Sequence, residues 1–410
     1  MTRIPTFILA ALPILAASLP SSKPEEVGLS SERLKGVSAL VKSHIDAGDF
    51  SGAVTLVARR GKLIHLEAQG LRDIEMKTPM TVESVFQLAS MTKPITAVAV
   101  LMLMEEGKLL LGDPVSKFIP EFKDQTVAEW NLPNDPRGAG SRLVRANREI
   151  TLQDLLTHTS GMASSMEGPA GGEVAKLKLA ADASIDQRVR AWAKLPLNFQ
   201  PGTQWQYTGG VGFGVLGRVV ELVSGLPLDQ YFDKRIFTPL GMKDSFFLIP
   251  AARQGDIAVM YGKQSTGLTK VANSAGRVNG AGGLWSTAQD YLAFAQMLLN
   301  GGQLNGARII SRKSVELLSD NAIGDLDLRN YIGTEHNLAG YGFGLGVRVR
   351  KSSGRSGWLG SPGDFGWAGA QGTYSWIDPK EQTIGIIMMS TRVQRLRAEF
   401  PNVVYGSFID

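Results

Sequence analysis

Strand-forming runs lie near both ends of this 410-residue chain, with helical patterns between them, and this arrangement constrains the fold most. Residues 50–70 form two β-rich runs around the turn Arg59-Arg60-Gly61, which predicts a hairpin. Further strands are predicted near the C-terminus, at Tyr341–Arg350, Gly372–Ile377 and Thr383–Met389. Short turns join these runs, which favours antiparallel pairing. The sequence therefore predicts one antiparallel sheet built from both ends of the chain.

Helical patterns fill much of the stretch from Leu111 to about Phe247 and flank the predicted sheet. The predicted helices are Thr92–Gly107, Asp154–Thr159, Ser184–Trp192, Gly212–Val223, Asp290–Asn300 and Val393–Gly406. The predicted fold class is α+β: an antiparallel β-sheet flanked by helices, with an inserted mostly helical domain. Residues 25–110 and 248–410 are assigned to the sheet domain, and residues 111–247 to the helical domain.

The N-terminal segment has the pattern of a secretory signal. Residues 1–19 contain one basic residue, Arg3, then an apolar run and small residues at positions 16–18. We expect residues 1–18 to be a signal peptide, which would make the mature protein periplasmic or secreted. The alternative is an apolar extension on a cytoplasmic protein. No other stretch approaches the ~18 apolar residues that a membrane-spanning helix needs, so stable membrane insertion is not expected.

Composition excludes several classes of protein. The chain has no cysteine, so no disulfide framework, cysteine nucleophile or cysteine-based metal site is expected. The net charge is +5, from 43 Lys and Arg against 38 Asp and Glu, and this small excess does not favour nucleic acid as a partner. The four histidines lack metal-ligand spacing such as HExxH, so they do not indicate a metal site. No metal or organic cofactor is expected.

The tetrapeptide Ser90-Met91-Thr92-Lys93 is the chain's only Ser-x-x-Lys, and it opens the apolar helix predicted at 92–107. Spacing i to i+3 on a helix brings the hydroxyl and the ammonium to one face, with Cβ atoms about 5–6 Å apart. A serine hydroxyl needs a neighbouring base to act as a nucleophile near neutral pH. Lysine serves as that base when desolvation or a positive field lowers its pKa. By itself, the motif is equally compatible with a nucleophile and with an ordinary helix cap.

The wider sequence resembles the superfamily of serine β-lactamases and penicillin-binding proteins, most closely class C β-lactamases and family VIII carboxylesterases. Matching segments follow the family's order along nearly the whole chain: VFQLASMTKPITAVAVLMLMEEGKLLLGDPV around Ser90, ITLQDLLTHTSGM ending at Met162, FQPGTQWQYTGG ending at Gly210, PLGMKDSFF ending at Phe247 and GDFGWAGAQGTYSWIDP ending at Pro379. The resemblance implies a β-lactamase/transpeptidase-like fold and a serine hydrolase that works through an acyl-enzyme on Ser90.

The family's second motif, Tyr-x-Asn, corresponds to Tyr207-Thr208-Gly209, so the tyrosine is kept and the asparagine is not. The resemblance implies that Tyr207 shares the acid–base work with Lys93. The pKa of a phenol, near 10, must fall by about three, roughly 4 kcal/mol, before the group acts as a base at pH 7. A cationic Lys93 beside Tyr207 is expected to lower that pKa. The sequence leaves open which of the two side chains takes the first proton.

The family's third motif, Lys-Thr-Gly, is absent, and Trp367-Ala368-Gly369 takes its place, as a Trp-x-Gly does in family VIII esterases. The resemblance implies that these residues lie on an edge strand and that the backbone N–H groups of Ser90 and Ala370 form an oxyanion hole. Trp367, Gly369 and Gly209 are the expected substrate-pocket residues. Without the motif lysine and asparagine, an aromatic-lined pocket suits a neutral ester better than a β-lactam.

The sequence thus predicts a carboxylesterase that cleaves short-to-medium acyl esters, with a small-molecule ester as its partner. The alternatives are a β-lactamase or D-Ala-D-Ala-type peptidase on the same fold, an acyltransferase, or a non-catalytic penicillin-recognising protein. Other polar groups are interpreted as structural: Ser319-Asp320-Asn321 as a helix end, His158 as a hydrogen-bonding residue, Asp364 as a turn residue, and Arg59-Arg60 and the basic residues at 349–355 as solvated turns.

Overall fold

The computed structural model describes residues 19–410, except for 132–139, 165–167, 181, 273–276, 327 and 329–337. The α-helices, in chain order, are α1 (Ser31–Asp46), α2 (Thr92–Glu105), α3 (Leu152–Leu156), α4 (Gly171–Lys176), α5 (Ile185–Trp192), α6 (Gly212–Ser224), α7 (Leu228–Phe232), α8 (Thr238–Leu240), α9 (Ala288–Leu299), α10 (Arg312–Ser319), α11 (Ser353–Ser356) and α12 (Leu396–Gly406). The predicted signal peptide, residues 1–18, lies outside the described residues.

The strands, in chain order, are β1 (Gly52–Arg59), β2 (Lys62–Asp73), β3 (Thr78–Pro79), β4 (Phe86–Gln87), β5 (Thr126–Trp130), β6 (Ser141–Arg145), β7 (Tyr261–Gln264), β8 (Gly267–Lys270), β9 (Trp285–Ser286), β10 (Gln303–Leu304), β11 (Ala307–Arg308), β12 (Tyr341–Phe343), β13 (Arg348–Arg350), β14 (Phe365–Ala368), β15 (Tyr374–Asp378) and β16 (Thr383–Met389). The main sheet has the order β12-β13-β14-β15-β16-β1-β2-β3, and every adjacent pair is antiparallel. The prediction of one antiparallel sheet from both chain ends is confirmed.

Helices cover both faces of this sheet. Along β1, Ala53 and Val57 belong to the core cluster formed with α1 and α12, whereas Val54 and Leu56 belong to the larger cluster that includes α2 and α9. Successive side chains of a strand point to opposite faces, so a strand buried on both faces needs a continuous apolar run. This explains why the β1 sequence GAVTLVA shows no alternation of polar and apolar residues.

Helix α2 lies in the middle of the core and carries the Ser-x-x-Lys lysine on its first turn. Its residues from Thr92 to Leu103 are all buried, as expected for a helix that is apolar on every side. Pro94 stands in the first turn, where its missing N–H costs no helical hydrogen bond. The helix ends just before Gly107, which adopts the left-handed φ of +69° that favours glycine.

Three sequence predictions of secondary structure need correction. Tyr341–Arg350 forms two strands, β12 and β13, because the Gly-rich turn between them reverses the chain, with Gly346 at φ +77°. The stretch 111–247 contains the hairpin β5–β6 as well as helices. Helix α1 was not predicted, although Leu34, Val37 and Val41 recur on one buried face behind the Ser30 cap. The proposed division into a sheet domain and a helical domain stays a prediction.

The interpretation of Arg59-Arg60 as a solvated turn is wrong for Arg59, which is 2% exposed. Its guanidinium donates to the carbonyl of Val27 at 2.9 Å and to Asp410 Oδ1 at 2.9 Å, and it lies 3.9 Å from the ring centroid of Phe408. Arg59 therefore ties the first hairpin to both ends of the described chain. Within the described residues, no helix combines the length and the apolar character needed to cross a membrane.

Candidate active site

Ser90 lies on a short 3₁₀ turn that leads directly into α2. The preceding residue, Ala89, has a left-handed φ of +46°, an unusual conformation for a residue with a Cβ. The chain just before it is held on two sides, because Leu88 N donates to Leu284 O at 2.9 Å and Leu88 O accepts from Thr373 Oγ1 at 3.2 Å. These contacts fix the serine at the start of the buried helix while leaving its side chain partly exposed.

The structure brings Ser90, Lys93 and Tyr207 together around one oxygen atom. Lys93 Nζ donates to Ser90 Oγ at 3.0 Å, and Tyr207 OH donates to the same oxygen at 2.6 Å. The lysine comes from the next turn of the same helix, whereas the tyrosine comes from the loop before α6, 117 residues further along the chain. Both side chains are therefore in hydrogen-bond reach of the serine hydroxyl, the geometry that general acid–base catalysis requires.

Lys93 is a buried amine in largely neutral surroundings. Its side chain is 1% exposed, and within the described residues its hydrogen bonds go to Ser90 Oγ and to the carbonyl oxygen of Ala281, at 2.8 Å. The rings of Tyr207 and Phe213 lie 5.0 and 5.8 Å from Nζ. Burial disfavours the charged form and lowers the pKa of Lys93 from 10.5 to about 7. A substantial fraction of this lysine is therefore neutral, and able to accept a proton, near neutral pH.

The electrostatics of Tyr207 differ from the sequence expectation. Burial raises the pKa of the phenol above its ordinary value of 10, and the hydrogen bonds with Ser90 and Trp367 and the charge of Arg397 offset this only in part. The expectation of a pKa lowered towards 7 is wrong, because the effect of burying the phenol outweighs the interactions that lower its pKa. Tyr207 is consequently a proton donor to Ser90 Oγ in the resting site.

His158 supports the loop that carries Tyr207. Its ring is buried and packs 4.7 Å from the ring of Tyr207, while Nδ1 lies 2.9 Å from Thr208 Oγ1 and accepts from Thr208 N at 3.3 Å. Burial and the nearby Lys93 charge lower the pKa of His158 well below 6.5. No hydrogen bond joins this histidine to Ser90 among the described residues, so the geometry agrees with its interpretation as a structural hydrogen-bonding residue.

The loop after β14 lies against the segment that precedes the serine. A Cβ on Gly369 would come within 2.4 Å of Leu88 O and 2.1 Å of Thr373 Oγ1, so only glycine allows this approach. The Gly369 N–H donates to Thr373 O at 2.7 Å. By contrast, the N–H groups of Ser90 and Ala370 donate to no backbone carbonyl of the described residues. Both therefore keep a donor for another acceptor.

Trp367 occupies a local edge inside the main sheet. Strand β14 has neighbours on both sides, so the prediction of an edge strand is wrong for the strand as a whole. However, β13 pairs only with Phe365 and Gly366, and Trp367 and Ala368 pair with β15 alone. The indole ring centroid is 5.5 Å from that of Tyr207, so an aromatic side chain stands beside the serine cluster where the family has its lysine.

A cavity of about 520 Å³ adjoins the loop that follows Tyr207. Its walls include Ile185, Trp192 and Val211, together with Arg188 and Arg277. The Arg188 guanidinium donates to the carbonyls of Ala180 and Ala183, at 3.1 and 3.0 Å. Gly209, an expected pocket residue, has a φ of +54°, and a Cβ there would meet no atom of the described residues within 4 Å. The cavity therefore offers a mixed apolar and basic wall, rather than a purely aromatic one.

Two polar groups set aside by the sequence analysis lie away from the serine cluster. Ser319-Asp320-Asn321 follows α10, where Asn321 Nδ2 donates to Gly324 O at 2.7 Å and Oδ1 accepts from Phe343 N at 3.2 Å, so the residues close a helix end as interpreted. Asp364 closes a turn as interpreted, since its N–H donates to Ser361 O at 2.9 Å. The interpretation of Arg350 as a solvated turn residue is wrong, because it is 3% exposed and forms an ion pair of 2.5 Å with Asp364.

No group of three or more His, Asp or Glu side chains suited to a metal ion occurs in the part of the chain that the structure describes. Sequence reasoning missed two groups that contact the candidate site: the Ala281 carbonyl, which accepts from Lys93, and Arg397, which donates to Gly369 O at 2.7 Å. A backbone carbonyl leaves no signal in a sequence. Arg397 is one of several arginines in the segment RVQRLR and has no distinguishing spacing.

Comparisons with known proteins found relatives that match a large part of the chain. A relative from Mycobacterium tuberculosis (strain ATCC 25618 / H37Rv), "Protein Rv1367c", is 36% identical over 339 residues, which cover 80% of this chain and 82% of the relative. "Esterase EstB" of Burkholderia gladioli is 38% identical over 215 residues, which cover 51% of this chain and 50% of the esterase.

Among solved structures, "EstCE1, a hydrolase with promiscuous acyltransferase activity" superposes with a TM-score of 0.77, over 92% of this chain and 98% of that one, at 24% identity. At this identity the likeness establishes the fold. The family described as "Beta-lactamase" matches residues 37–403, nearly the whole of the described chain. This long match, together with the shared antiparallel architecture, shows that the chain belongs to the β-lactamase family of serine hydrolases.

Proposed function

We propose that the protein is a carboxylesterase that cleaves small-molecule acyl esters through a covalent intermediate on Ser90. The observation that carries the proposal is the convergence of Lys93 Nζ and Tyr207 OH on Ser90 Oγ, at 3.0 and 2.6 Å. A serine activated by an adjacent base is the arrangement that nucleophilic catalysis needs. The similarity to an esterase over half of the chain supports the same reaction class.

In the acylation step, neutral Lys93 takes the proton of Ser90 as Oγ attacks the ester carbonyl carbon. The low pKa of Lys93, about 7, supports this role for the lysine rather than for the tyrosine. The carbonyl oxygen becomes an oxyanion and accepts hydrogen bonds from the backbone N–H groups of Ser90 and Ala370. Tyr207 donates its proton to the alcohol oxygen as the ester bond breaks, and Lys93 returns a proton to the phenolate. An alcohol leaves, and the acyl group remains on Ser90.

In the deacylation step, a water molecule attacks the acyl carbonyl carbon while neutral Lys93 accepts its proton. The same two N–H groups stabilise the second oxyanion. Collapse of this intermediate breaks the bond to Ser90 Oγ, which recovers a proton from the cluster. The products are a carboxylic acid and the resting enzyme, so atoms and protons balance against one ester and one water.

The pocket chemistry supports an ester rather than a β-lactam as the substrate. Trp367, on β14, corresponds to the family's lysine, and Gly209 corresponds to the asparagine of the second motif. A β-lactam carboxylate and its amide side chain lack the partners that these groups would supply. A cavity of about 520 Å³ with a partly apolar and partly basic wall adjoins Gly210 and Val211, and we propose that it receives the acyl chain.

The proposal is tested with a panel of p-nitrophenyl esters of increasing acyl length and with nitrocefin, a chromogenic cephalosporin. We expect ester hydrolysis by the wild-type protein and complete loss of turnover in Ser90→Ala. A fluorophosphonate probe should label Ser90, as located by peptide mass spectrometry. Ser319→Ala is the matched control, since its hydroxyl donates to the carbonyl of Val315 at the end of α10.

Three results would contradict the proposal. Retained ester hydrolysis in Ser90→Ala would remove the nucleophile. Faster turnover of nitrocefin than of every ester would favour a β-lactamase. Failure of the probe to label folded wild-type protein would favour a non-catalytic penicillin-recognising protein.

A further inference from the structure

The peptide group between Gly369 and Ala370 has partners on one side only. Its carbonyl oxygen, on Gly369, accepts from Arg397 Nη2 at 2.7 Å and from Gly372 N at 3.2 Å. Its N–H, on Ala370, donates to no backbone carbonyl of the described residues. The oxygen of this peptide group therefore binds a guanidinium, while its N–H remains available to another acceptor.

We infer that Arg397 is a positioning residue for the oxyanion hole, which it orients and polarises through the Gly369–Ala370 peptide group. This inference rests on the proposed function, since it takes the Ala370 N–H as a donor to the oxyanion. It concerns a residue in the first turn of α12, far along the sequence from the Ser-x-x-Lys motif.

The first part of the argument is geometric. A peptide group is planar, so fixing the direction of its carbonyl also fixes the direction of its N–H. The two donors to Gly369 O, together with the close approach of Gly369 to Leu88 O, hold that plane against the segment before Ser90. Preorganised donors are effective in catalysis because they need no reorientation as charge develops on the substrate.

The second part is electronic. A charged donor on the carbonyl oxygen is roughly twice as strong as a neutral one. Hydrogen bonds in a chain polarise one another, by perhaps 10–30% per bond, so the cation on the oxygen side strengthens the N–H as a donor. The positive charge of Arg397 also helps to lower the pKa of the Tyr207 phenol, which places the guanidinium within electrostatic range of the reacting groups.

The test compares Arg397→Met, Arg397→Lys and the matched control Arg395→Met in ester hydrolysis. Arg395 lies two residues earlier, is 74% exposed and pairs with Glu399, so its loss removes the same charge from the same helix without touching Gly369. We expect Arg397→Met to lower kcat and kcat/KM about tenfold with little change in KM, a smaller loss than the ~10²–10³ for deleting an oxyanion-hole donor. Arg397→Lys should keep most of the activity, and Arg395→Met should behave as wild type.

Two further measurements separate this role from a merely structural one. Affinity for phenylboronic acid, whose serine adduct is tetrahedral, should fall in Arg397→Met by the same factor as kcat/KM. Millimolar guanidinium should raise the activity of Arg397→Ala and leave the activity of Arg395→Ala, which is expected to be that of the wild type, unchanged. A thermal melt of each variant shows whether the fold is intact.

The outcomes are distinct. If Ser90→Ala is inactive but Arg397→Met keeps kcat within twofold, the inference is wrong and the proposed function stands. An increase in KM at unchanged kcat would assign Arg397 to substrate binding and also overturn it. Equal losses in the folded Lys and Met variants, without rescue by guanidinium, would reduce Arg397 to a packing role. Retained activity in Ser90→Ala would instead overturn the proposed function.

Discussion

Two buried cations of this molecule, Lys93 and Arg350, have opposite surroundings. Lys93 donates to two neutral oxygens, and burial lowers its pKa to about 7. Arg350 forms an ion pair of 2.5 Å with Asp364 and also donates to Ser356 Oγ, Trp358 O and Leu359 O. Lys93 lacks a compensating acid among its described contacts, whereas Arg350 has Asp364 and three further acceptors.

The difference shows that burial has a different consequence for a lysine than for an arginine. Burying an unpaired cation either destabilises the fold or lowers the pKa of the group until it is neutral, and a lysine can become neutral in this way. An arginine stays charged, so a buried arginine needs a partner, and removing one member of such a pair destabilises the fold. The same contrast reaches Asp364, whose pKa burial raises to about 6 despite the adjacent arginines. The surroundings of Lys93 therefore favour proton transfer, whereas those of Arg350 stabilise the fold.

The largest expected effect comes from removing the uncompensated cation. Lys93→Met should lower kcat/KM about 10³-fold, within the ~10²–10⁴ range for a positioned acid–base group. The free energy of unfolding at pH 7 should stay unchanged or increase, because the cost of burying an amine disappears. Ester kinetics and urea denaturation measure the two quantities, and activity within threefold of wild type would contradict the comparison.

Breaking the compensated pair should have the opposite signature. Arg350→Met leaves Asp364 buried without its cation, which should cost about 3–5 kcal/mol of unfolding free energy. The kcat of the folded fraction, measured at low temperature, should remain within a few-fold of wild type. The double variant Arg350→Met/Asp364→Leu should recover part of the stability. If the double variant were less stable than Arg350→Met, the ion pair would not explain the loss.

Removing the Tyr207 hydroxyl should cause a smaller loss of activity and so distinguish its hydrogen bond to Ser90 from that of Lys93. Tyr207→Phe should lower kcat/KM about 10²-fold, since it removes the proton donor but leaves Lys93 in place. Stability should change by less than about 1 kcal/mol, because the ring keeps its contacts with His158 and Trp367. A loss equal to that of Lys93→Met would indicate that the tyrosine, rather than the lysine, takes the first proton.

The smallest and most graded effect is that of pH. If neutral Lys93 is the base, kcat/KM rises with pH through a midpoint of about 7 and falls about tenfold per pH unit below it. The midpoint of the alkaline decline should lie above pH 10, since burial raises the pKa of Tyr207.

The same lysine gives a stability test with a defined sign. The folded state binds this proton less tightly than the unfolded state, so stability should increase with pH between about 7 and 10.5. Lys93→Met should lose this slope, and Arg350→Met should keep it. A wild-type stability that is flat over this range would contradict the assigned pKa.

Much of the fold and the core of the candidate site were predictable from the sequence. β-rich runs joined by short turns predicted the main sheet, and a helical pattern predicted the buried helix. The Ser-x-x-Lys spacing predicted that Ser90 and Lys93 share one helical face. Tyr207 followed from the resemblance to a family, because nothing local links it to a motif 117 residues away. The resemblance implied an edge strand at Trp367, but β14 is an edge only at Trp367 and Ala368, since the pairing of half a strand depends on where β13 ends.

The sequence by itself determined which elements form and which serine and lysine share a helical face, because periodicity and i to i+3 spacing are local properties of the chain. It did not distinguish Lys93 from Arg350 or Arg397, which are all basic residues in apolar or mixed segments. Only the tertiary structure decided that burial lowers the pKa of Lys93, that Arg350 pairs with Asp364 and that Arg397 donates to Gly369 O. Burial and partners come from contacts between distant segments, and these contacts set the pKa and the role of each cation.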